Sequence, residues 1–454
     1  MYRNQEKHLD RWYKKKKRKP LIIRGARQVG KSTLVRNFAN NHSLNLFEIN
    51  LERHVHLDRI FKTTNIPDII REIEGIIGRK ISYHNSLLFL DEIQATPSAI
   101  PALRYFLEDQ PELPVVAAGS LLEFTLSEHS FSMPVGRVEY MHMEPMVFQE
   151  FLRELDPFAF DFIKNFAFGV TIPDSVHSLL LNRQREYLLT GGMPEAVSVY
   201  SLEKNFFSVQ EVHDSIISTY YDDFGKYATK NELARLQTLF HLLPRHTGKK
   251  IVYSRIYREE RSREVKAAIA LLTKARLITK VIHTHANGVP LGADAVPEVY
   301  KTIFLDVGLS NYMCGLDWRA LNSMDERELI NEGSIAEQFI GQHLLSNMEL
   351  NLKQELYYWL REGKSKNAEI DFLIPIGKDI IPVEVKAGKR GSLKSLVQFA
   401  LDKNIRLAVR FDLNKPSKQK VQYKTGENTA VEYELLSLPM YLVDKTVNIC
   451  ISES

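Results

Sequence analysis

The sequence of 454 residues has only two cysteines, Cys314 and Cys450, and they lie far apart. No disulfide framework or cysteine-based metal motif can be built from them, so a reducing compartment is expected. No apolar run reaches the about 18 residues that a membrane-spanning helix needs. The opening MYRNQEKHLD lacks the apolar core of a signal peptide. The expected location is therefore the cytoplasm, with no membrane partner. An excess of charge is also lacking, since 60 Lys and Arg face 56 Asp and Glu for a net +4. Bulk charge gives no argument for nucleic acid, and local clusters must supply one. Internal repeats are absent, and no low-complexity tract exceeds one lysine run.

What remains is an ordinary globular balance, 44% hydrophobic and 26% charged, in a chain long enough for roughly three domains. After a basic arm, residues 1–19, the segment 20–146 alternates short apolar runs with helical patterns. LIIR (21–24), LFEINL (46–51), LLFLDEI (87–93) and PVVAAGS (114–120) read as strands of a parallel α/β sheet. Residues 147–232 read as a helical lid. Residues 233–315 give helix, short helix, helix and two strands, the order of a winged helix. Its third helix, about 262–276, buries one face through Val265, Ala268, Ile269 and Leu272. From 325 to the end, a helix precedes LYYWLRE, a hairpin and a further helix from Leu393.

The strongest motif is Gly25-x-x-x-x-Gly30-Lys31-Ser32, directly after one predicted strand and before a predicted helix. This is the context of a phosphate-binding P-loop. Its glycines let backbone N–H groups point inward, and the helix N-terminus adds partial positive charge. Lys31 is expected on the β- and γ-phosphates of ATP, Ser32 on Mg²⁺, and Thr33 beside them. In SLLFLDEIQ a buried strand ends in Asp91 and Glu92. Asp91 would join the Mg²⁺ shell at the sheet's C-terminal edge. Glu92 would orient or deprotonate the attacking water. Ser120, ending VVAAGS, is either a sensor of the γ-phosphate or a helix N-cap.

These three motifs together resemble AAA+ type ATPases of the prokaryotic group related to the signal-transduction ATPases with numerous domains. The resemblance implies that Gly192-Met193-Pro194 is the Gly-x-Pro motif of the lid, with Pro194 near the adenine. It also implies that Arg137, in PVGRVEYMHMEPMVFQEFL (134–152), is an arginine finger or phosphate sensor. A finger acting in trans would make a second copy of the chain a partner; one acting in cis, or a plain salt bridge, would not.

Two further clusters point to DNA. Arg261, Arg263 and Lys266 open the third helix of the winged-helix segment, where recognition helices meet nucleic acid. Glu259, Glu260 and Glu264 interrupt that patch, and winged helices also bind proteins. The run from Lys14 to Lys19 is either a solvated leader or a grip on a phosphate backbone.

In EIDFLIPIGKDIIPVEVK (369–386), strict alternation puts Ile370, Phe372 and Ile374 on one face, with Glu369, Asp371 and Leu373 on the other. The same rule gathers Asp371, Glu384 and Lys386. Two carboxylates there suit Mg²⁺ or Mn²⁺, and the lysine could orient a water or stabilise developing charge. An ion-paired charged face is the alternative. The pattern resembles the PD-(D/E)XK nuclease-like core, in which a glutamate of the preceding helix, here Glu337, joins the metal ligands. Ile370 stands where that pattern often has proline.

Over nearly the whole chain the order resembles prokaryotic proteins that join an AAA+ type ATPase, a winged helix and a C-terminal restriction-nuclease-like domain. They are often named only as ATP-binding proteins. The implied function is ATP hydrolysis coupled to a metal-dependent nuclease-like module acting on DNA. The alternatives are a signalling switch that binds DNA or protein without cutting, and a DNA-binding regulator whose ATP site sets oligomerisation.

Overall fold

In the computed structural model, every residue is described except 84, 121–135, 317–332, 349–354, 363–366, 387–392, 425–429 and 454. The chain divides into two units. The first holds residues 1–144 with 271–277, and the second holds most of the remainder.

The first unit is built on a five-stranded sheet: β1 (Leu21–Arg24), β2 (Asn45–Asn50), β3 (Ser86–Asp91), β4 (Val115–Gly119) and β5 (Glu139–His142). The spatial order is β2-β3-β4-β1-β5, and every pairing is parallel. β1, β3 and β4 are short, nearly continuous apolar runs, as expected of strands covered on both faces. β3 and β4 are buried along their whole length. All C-terminal ends therefore share one edge, where ligands of open α/β sheets bind. β4 lies between β1 and β3, so the loops after these three strands are neighbours. β5 was not expected. The segment read as lying beyond the last strand supplies it, and Glu139–His142 pairs residue by residue with Leu21–Arg24.

The N-terminal arm contains a helix. Helix Glu6–Tyr13 buries Leu9 and Trp12 almost completely. In the basic run that follows, Lys15 pairs with Glu139 at 2.5 Å and Arg18 donates to the Glu112 carbonyl at 2.6 Å.

The second unit carries an eight-stranded sheet of β6 (Ile278–Thr284), β7 (Ala295–Phe304), β8 (Leu356–Arg361), β9 (Ala368–Ile376), β10 (Asp379–Val385), β11 (Leu407–Asp412), β12 (Ser417–Lys424) and β13 (Ala430–Pro439). Its order is β12-β13-β11-β10-β9-β8-β6-β7. Helices Lys230–Leu242, Tyr253–Ile256 and Ser262–Lys274 precede the β6–β7 hairpin, in the order read from the sequence. The hairpin is not a free wing, because β6 pairs in parallel with β8 and extends the C-terminal sheet.

Strict alternation fails in β9. Tyr357 of β8 faces Leu373 while Trp359 faces Ile370, so β9 has one residue more than β8 across this stretch. Such a bulge resets the faces. Ile370 and Leu373 both pack with Leu396 and Phe399 of helix Lys394–Lys403. Phe372 turns instead toward Gly341 of helix Gly333–Ser346.

The GGMP segment is also a packing device. A Cβ on Gly191 would stand 2.0 Å from Asp306 Oδ1, and one on Gly192 would stand 2.0 Å from the Met146 carbonyl oxygen. Fully buried Asp306 accepts from the backbone N–H groups of Gly192 (2.7 Å), Gly308 (3.0 Å) and Leu309 (3.1 Å). It also accepts from the Gln342 amide at 3.2 Å. Pro194 starts helix Pro194–Glu203, where its fixed φ and missing N–H carry no penalty.

Candidate nucleotide site and acidic cluster

The loop after β1 is shaped by its glycines. Gly30 caps helix Lys31–Asn41 at φ 93°, in the left-handed region that favours glycine. At Gly25 an added Cβ would lie 2.2 Å from the Met143 carbonyl oxygen, so only glycine lets β1 and the residue after β5 approach. Lys31 is buried, and its Nζ donates to the carbonyls of Ala26 (2.8 Å) and Gly25 (3.2 Å). These are the neutral acceptors a phosphate oxygen would replace. Thr33 is exposed on the first helical turn. Behind the loop, the buried Arg3 donates to the carbonyls of Val29 (2.7 Å) and Glu144 (2.6 Å). Sequence reasoning missed this residue, since an isolated arginine near the start of a basic arm reads as solvated.

Across the loop, the Ser32 hydroxyl donates to Asp91 Oδ2 at 2.8 Å. Burial pushes the Asp91 carboxyl above its ordinary value, and the Ser32 hydrogen bond opposes that shift. The two side chains expected on Mg²⁺ are thus already in contact: a hydroxyl and a carboxylate, both hard oxygen donors that suit this ion. Asp91 Oδ1 accepts from the Glu92 N–H at 3.1 Å. Glu92 itself has φ 51°, an uncommon backbone for a non-glycine residue. That turn presents its carboxylate to two donors. The Gln94 amide reaches Oε2 at 2.5 Å and the Ser120 hydroxyl reaches the same oxygen at 3.3 Å. Gln94 is a second missed residue. The sequence hint lay in the same LDEIQ string, and Gly119 makes the space, since a Cβ there would stand 2.5 Å from Gln94 Oε1.

Lys31, Ser32, Asp91, Glu92 and Ser120 are therefore held at one edge of the sheet, the last four by a continuous chain of hydrogen bonds. Arg137 is held elsewhere. Its half-exposed guanidinium stands 3.5 Å from Glu108, which also accepts from Arg104 at 3.0 Å. Beyond the C-terminal end of β5, Arg276 donates to Glu144 and contacts His142 Nδ1, each at 2.5 Å. Burial and the charges of Arg276 and Arg24 lower the His142 pKa to about 3.

In the second unit the expected acids gather around a lysine that was not expected. Lys301, on β7, is 1% exposed. Its Nζ donates to Glu369 at 2.8 Å and to Glu337 at 3.1 Å, and stands 3.8 Å from Asp371. The Tyr358 ring lies 5.0 Å from the same ammonium group. Asp371 accepts from the Val385 N–H at 2.7 Å, and Glu384 is paired with Lys386. Burial, followed by the neighbouring Asp371 charge, pushes both Glu337 and Glu384 above the ordinary carboxylate range. Lys301 is driven up by the acids around it, against the effect of its own burial. As the side chains stand, no three acidic, imidazole or thiol groups among the described residues are placed to share an ion. The buried Glu384 Oε2 nevertheless has no hydrogen-bond partner, which is the kind of atom a cation would satisfy.

Arg261, Arg263 and Lys266 are exposed around the start of helix Ser262–Lys274. Two of the acids that interrupt this patch are occupied: Arg235 stands 3.2 Å from Glu260 and 3.4 Å from Glu264.

Residues 17–152 match the family model described as an AAA domain. Residues 181–320 and 332–441 each match a domain of unknown function. No curated protein matches the sequence. Among solved structures, a Walker-type ATPase of Pyrococcus abyssi is 14% identical over 68% of this chain and 94% of its own, with a TM-score of 0.43. The Aeropyrum pernix ORC1 protein, solved in complex with DNA, is 13% identical over 69% of this chain and 93% of its own, with a TM-score of 0.31. AMPPCP-bound DnaA from Aquifex aeolicus is 14% identical over 56% of this chain and 82% of its own, with a TM-score of 0.25. No helix among the described residues is long and apolar enough to cross a membrane. The matched domain, the parallel sheet and the loop after β1 agree, and residues 17–152 form an AAA-type P-loop ATPase domain.

Proposed function

We propose that the chain hydrolyses ATP and uses the nucleotide state to control a nuclease-like second unit that acts on DNA. The observation that carries the first half is the hydrogen-bonded run Ser32–Asp91–Glu92–Ser120 beside Lys31. Lys31 gives up its two loop carbonyls and neutralises the β- and γ-phosphates. Ser32 and Asp91 would hold Mg²⁺, which supplies charge neutralisation on the phosphates when bound. Glu92, fixed by Gln94 and Ser120, orients the attacking water and accepts its proton. Arg137 sits on an exposed surface ion pair, which suits a finger offered to a second copy better than one used within the chain.

The second half rests on Glu337, Asp371 and Glu384, which would hold Mg²⁺ or Mn²⁺, on Lys386, which would orient a water, and on the exposed Arg261, Arg263 and Lys266 as contacts to the DNA backbone. A second reading is a switch that binds DNA without cutting it. The observation favouring it is Lys301, whose ammonium group already pairs with Glu337 and stands 3.8 Å from Asp371, two of the carboxylates a metal would need. The experiment is a pair of assays on the native chain, Lys31→Ala and Asp371→Ala: ATP hydrolysis with and without DNA, and DNA cleavage with Mg²⁺ or Mn²⁺. Cleavage that disappears in Asp371→Ala supports the nuclease. Intact ATP hydrolysis with no cleavage under either metal leaves the switch.

A further inference from the structure

Four carboxylates, Glu337, Glu369, Asp371 and Glu384, gather with two ammonium groups, Lys301 and Lys386; Glu369 and Lys386 reach solvent and the other four are largely buried. With all six ionised, two negative charges are left over, which is the charge of one divalent cation. An excess of that kind is costly away from water. The unpartnered Glu384 Oε2 marks where compensation is missing. Lys301 is the unusual member. It comes from a strand on the far side of β8 from β9, and nothing in the EIDFLIPIGKDIIPVEVK string foretells it. It is the most buried of the six side chains and reaches three of the four carboxylates.

We infer that Lys301 is a resident cation that competes with a divalent metal for Glu337 and Asp371, and so sets how readily the cluster takes up Mn²⁺ or Mg²⁺. The inference rests on the metal-binding reading proposed above and adds the element that holds the metal off. Lys301 acts as a positioning residue. Its ammonium draws Glu337 and Glu369 to itself, and its charge repels an incoming ion at short range, where the effective dielectric is low. A metal must displace that group from the carboxylates before it can bind. The long, flexible lysine stem allows such a displacement, whereas a rigid arginine fork would permit less.

The test is Mn²⁺ binding to the nucleotide-free full-length chain by calorimetry, with thermal unfolding recorded with and without Mn²⁺. Only the part of the signal lost in Asp371→Ala is assigned to this cluster. Lys301→Met keeps the apolar stem and removes the charge; its Mn²⁺ affinity should rise by about tenfold or more. Mn²⁺ should also raise its unfolding temperature more than that of the wild type, and Lys301→Arg should show no gain in affinity. Because Lys301→Met leaves buried acids unpaired and could fail to fold, the double variant Lys301→Met/Glu369→Gln is compared with Glu369→Gln alone. The double variant loses one charge of each sign, and the same gain is expected. Wild-type binding with no gain in either comparison overturns the role of Lys301 and leaves the metal reading standing. Asp371-dependent binding that appears only when Lys301 is replaced supports the inference most strongly. No such binding in any of these proteins overturns both.

Discussion

Asp306 should be among the most costly side chains to remove from the second unit, although no sequence motif marks it. Asp306→Ala removes the acceptor for four donors at 2.7–3.2 Å. Two of these are first-turn N–H groups of helix Val307–Met313, and the loss of an N-cap costs about 1 kcal/mol. The Gly192 N–H and the Gln342 amide would be left buried without that acceptor, at about 1–3 kcal/mol each. The carboxylate's own burial, which pushes its pKa up, returns part of that sum. A net loss of about 3 kcal/mol follows. Asp306→Asn keeps the shape but turns an amide toward N–H donors, and should lose less. Urea unfolding gives the size of the effect, and hydrogen exchange gives its place. Protection should fall first around residues 190–193 and 306–309, the two segments joined by this carboxylate. A loss within about 0.5 kcal/mol, the range of an ordinary surface change, would refute the argument that Gly191 is there to receive Asp306.

Three other outcomes can be checked directly. Arg3→Ala should destabilise the first unit by about 2 kcal/mol and raise the KM for ATP, because the Val29 and Glu144 carbonyls lose a charged donor; unchanged unfolding and KM would show that the arm does not brace the loop. His213 is fully buried, donates to the Thr190 carbonyl and is held neutral with a pKa lowered to about 4. A depressed histidine is fully stabilising above its unfolded pKa, so stability should fall by roughly 3 kcal/mol as pH drops from about 6.5 to 4, and His213→Gln should flatten that slope. Arg261→Glu/Arg263→Glu/Lys266→Glu should weaken DNA binding similarly for different sequences and reduce its salt dependence, as measured by fluorescence anisotropy across a salt series; equal affinity would remove this helix from the proposed contact.

The two sites differ in how far the sequence revealed them, for a physical reason. The P-loop is local: a strand, a tight glycine turn and a helix N-terminus follow one another, so spacing alone carries the geometry. Asp91 and Glu92 were legible because a fully buried strand of a parallel sheet can place acids only where it leaves the core, at its C-terminal edge. Lys301 was not legible, since a lysine in the run EVYKTIF looks like one exposed position of a strand. It is buried only because β7, β9 and helix Gly333–Ser346 converge on it. Strand alternation correctly grouped Glu369 with Asp371 around Lys301, and failed at Phe372 and Leu373, where β9 has its extra residue. The fifth strand of the first sheet was missed because Glu139–His142 has no apolar pattern of its own. Its place is set by pairing with β1.

The central claim is that Lys31, Asp91 and Glu92 form a working ATP site. Steady-state phosphate release by the native chain, Lys31→Ala and Glu92→Gln, with ATP affinity measured alongside, tests it most directly. Hydrolysis by the native chain is expected, with both binding and hydrolysis lost in Lys31→Ala, and binding retained but hydrolysis reduced by about 10²-fold or more in Glu92→Gln. Normal hydrolysis by Lys31→Ala would contradict it.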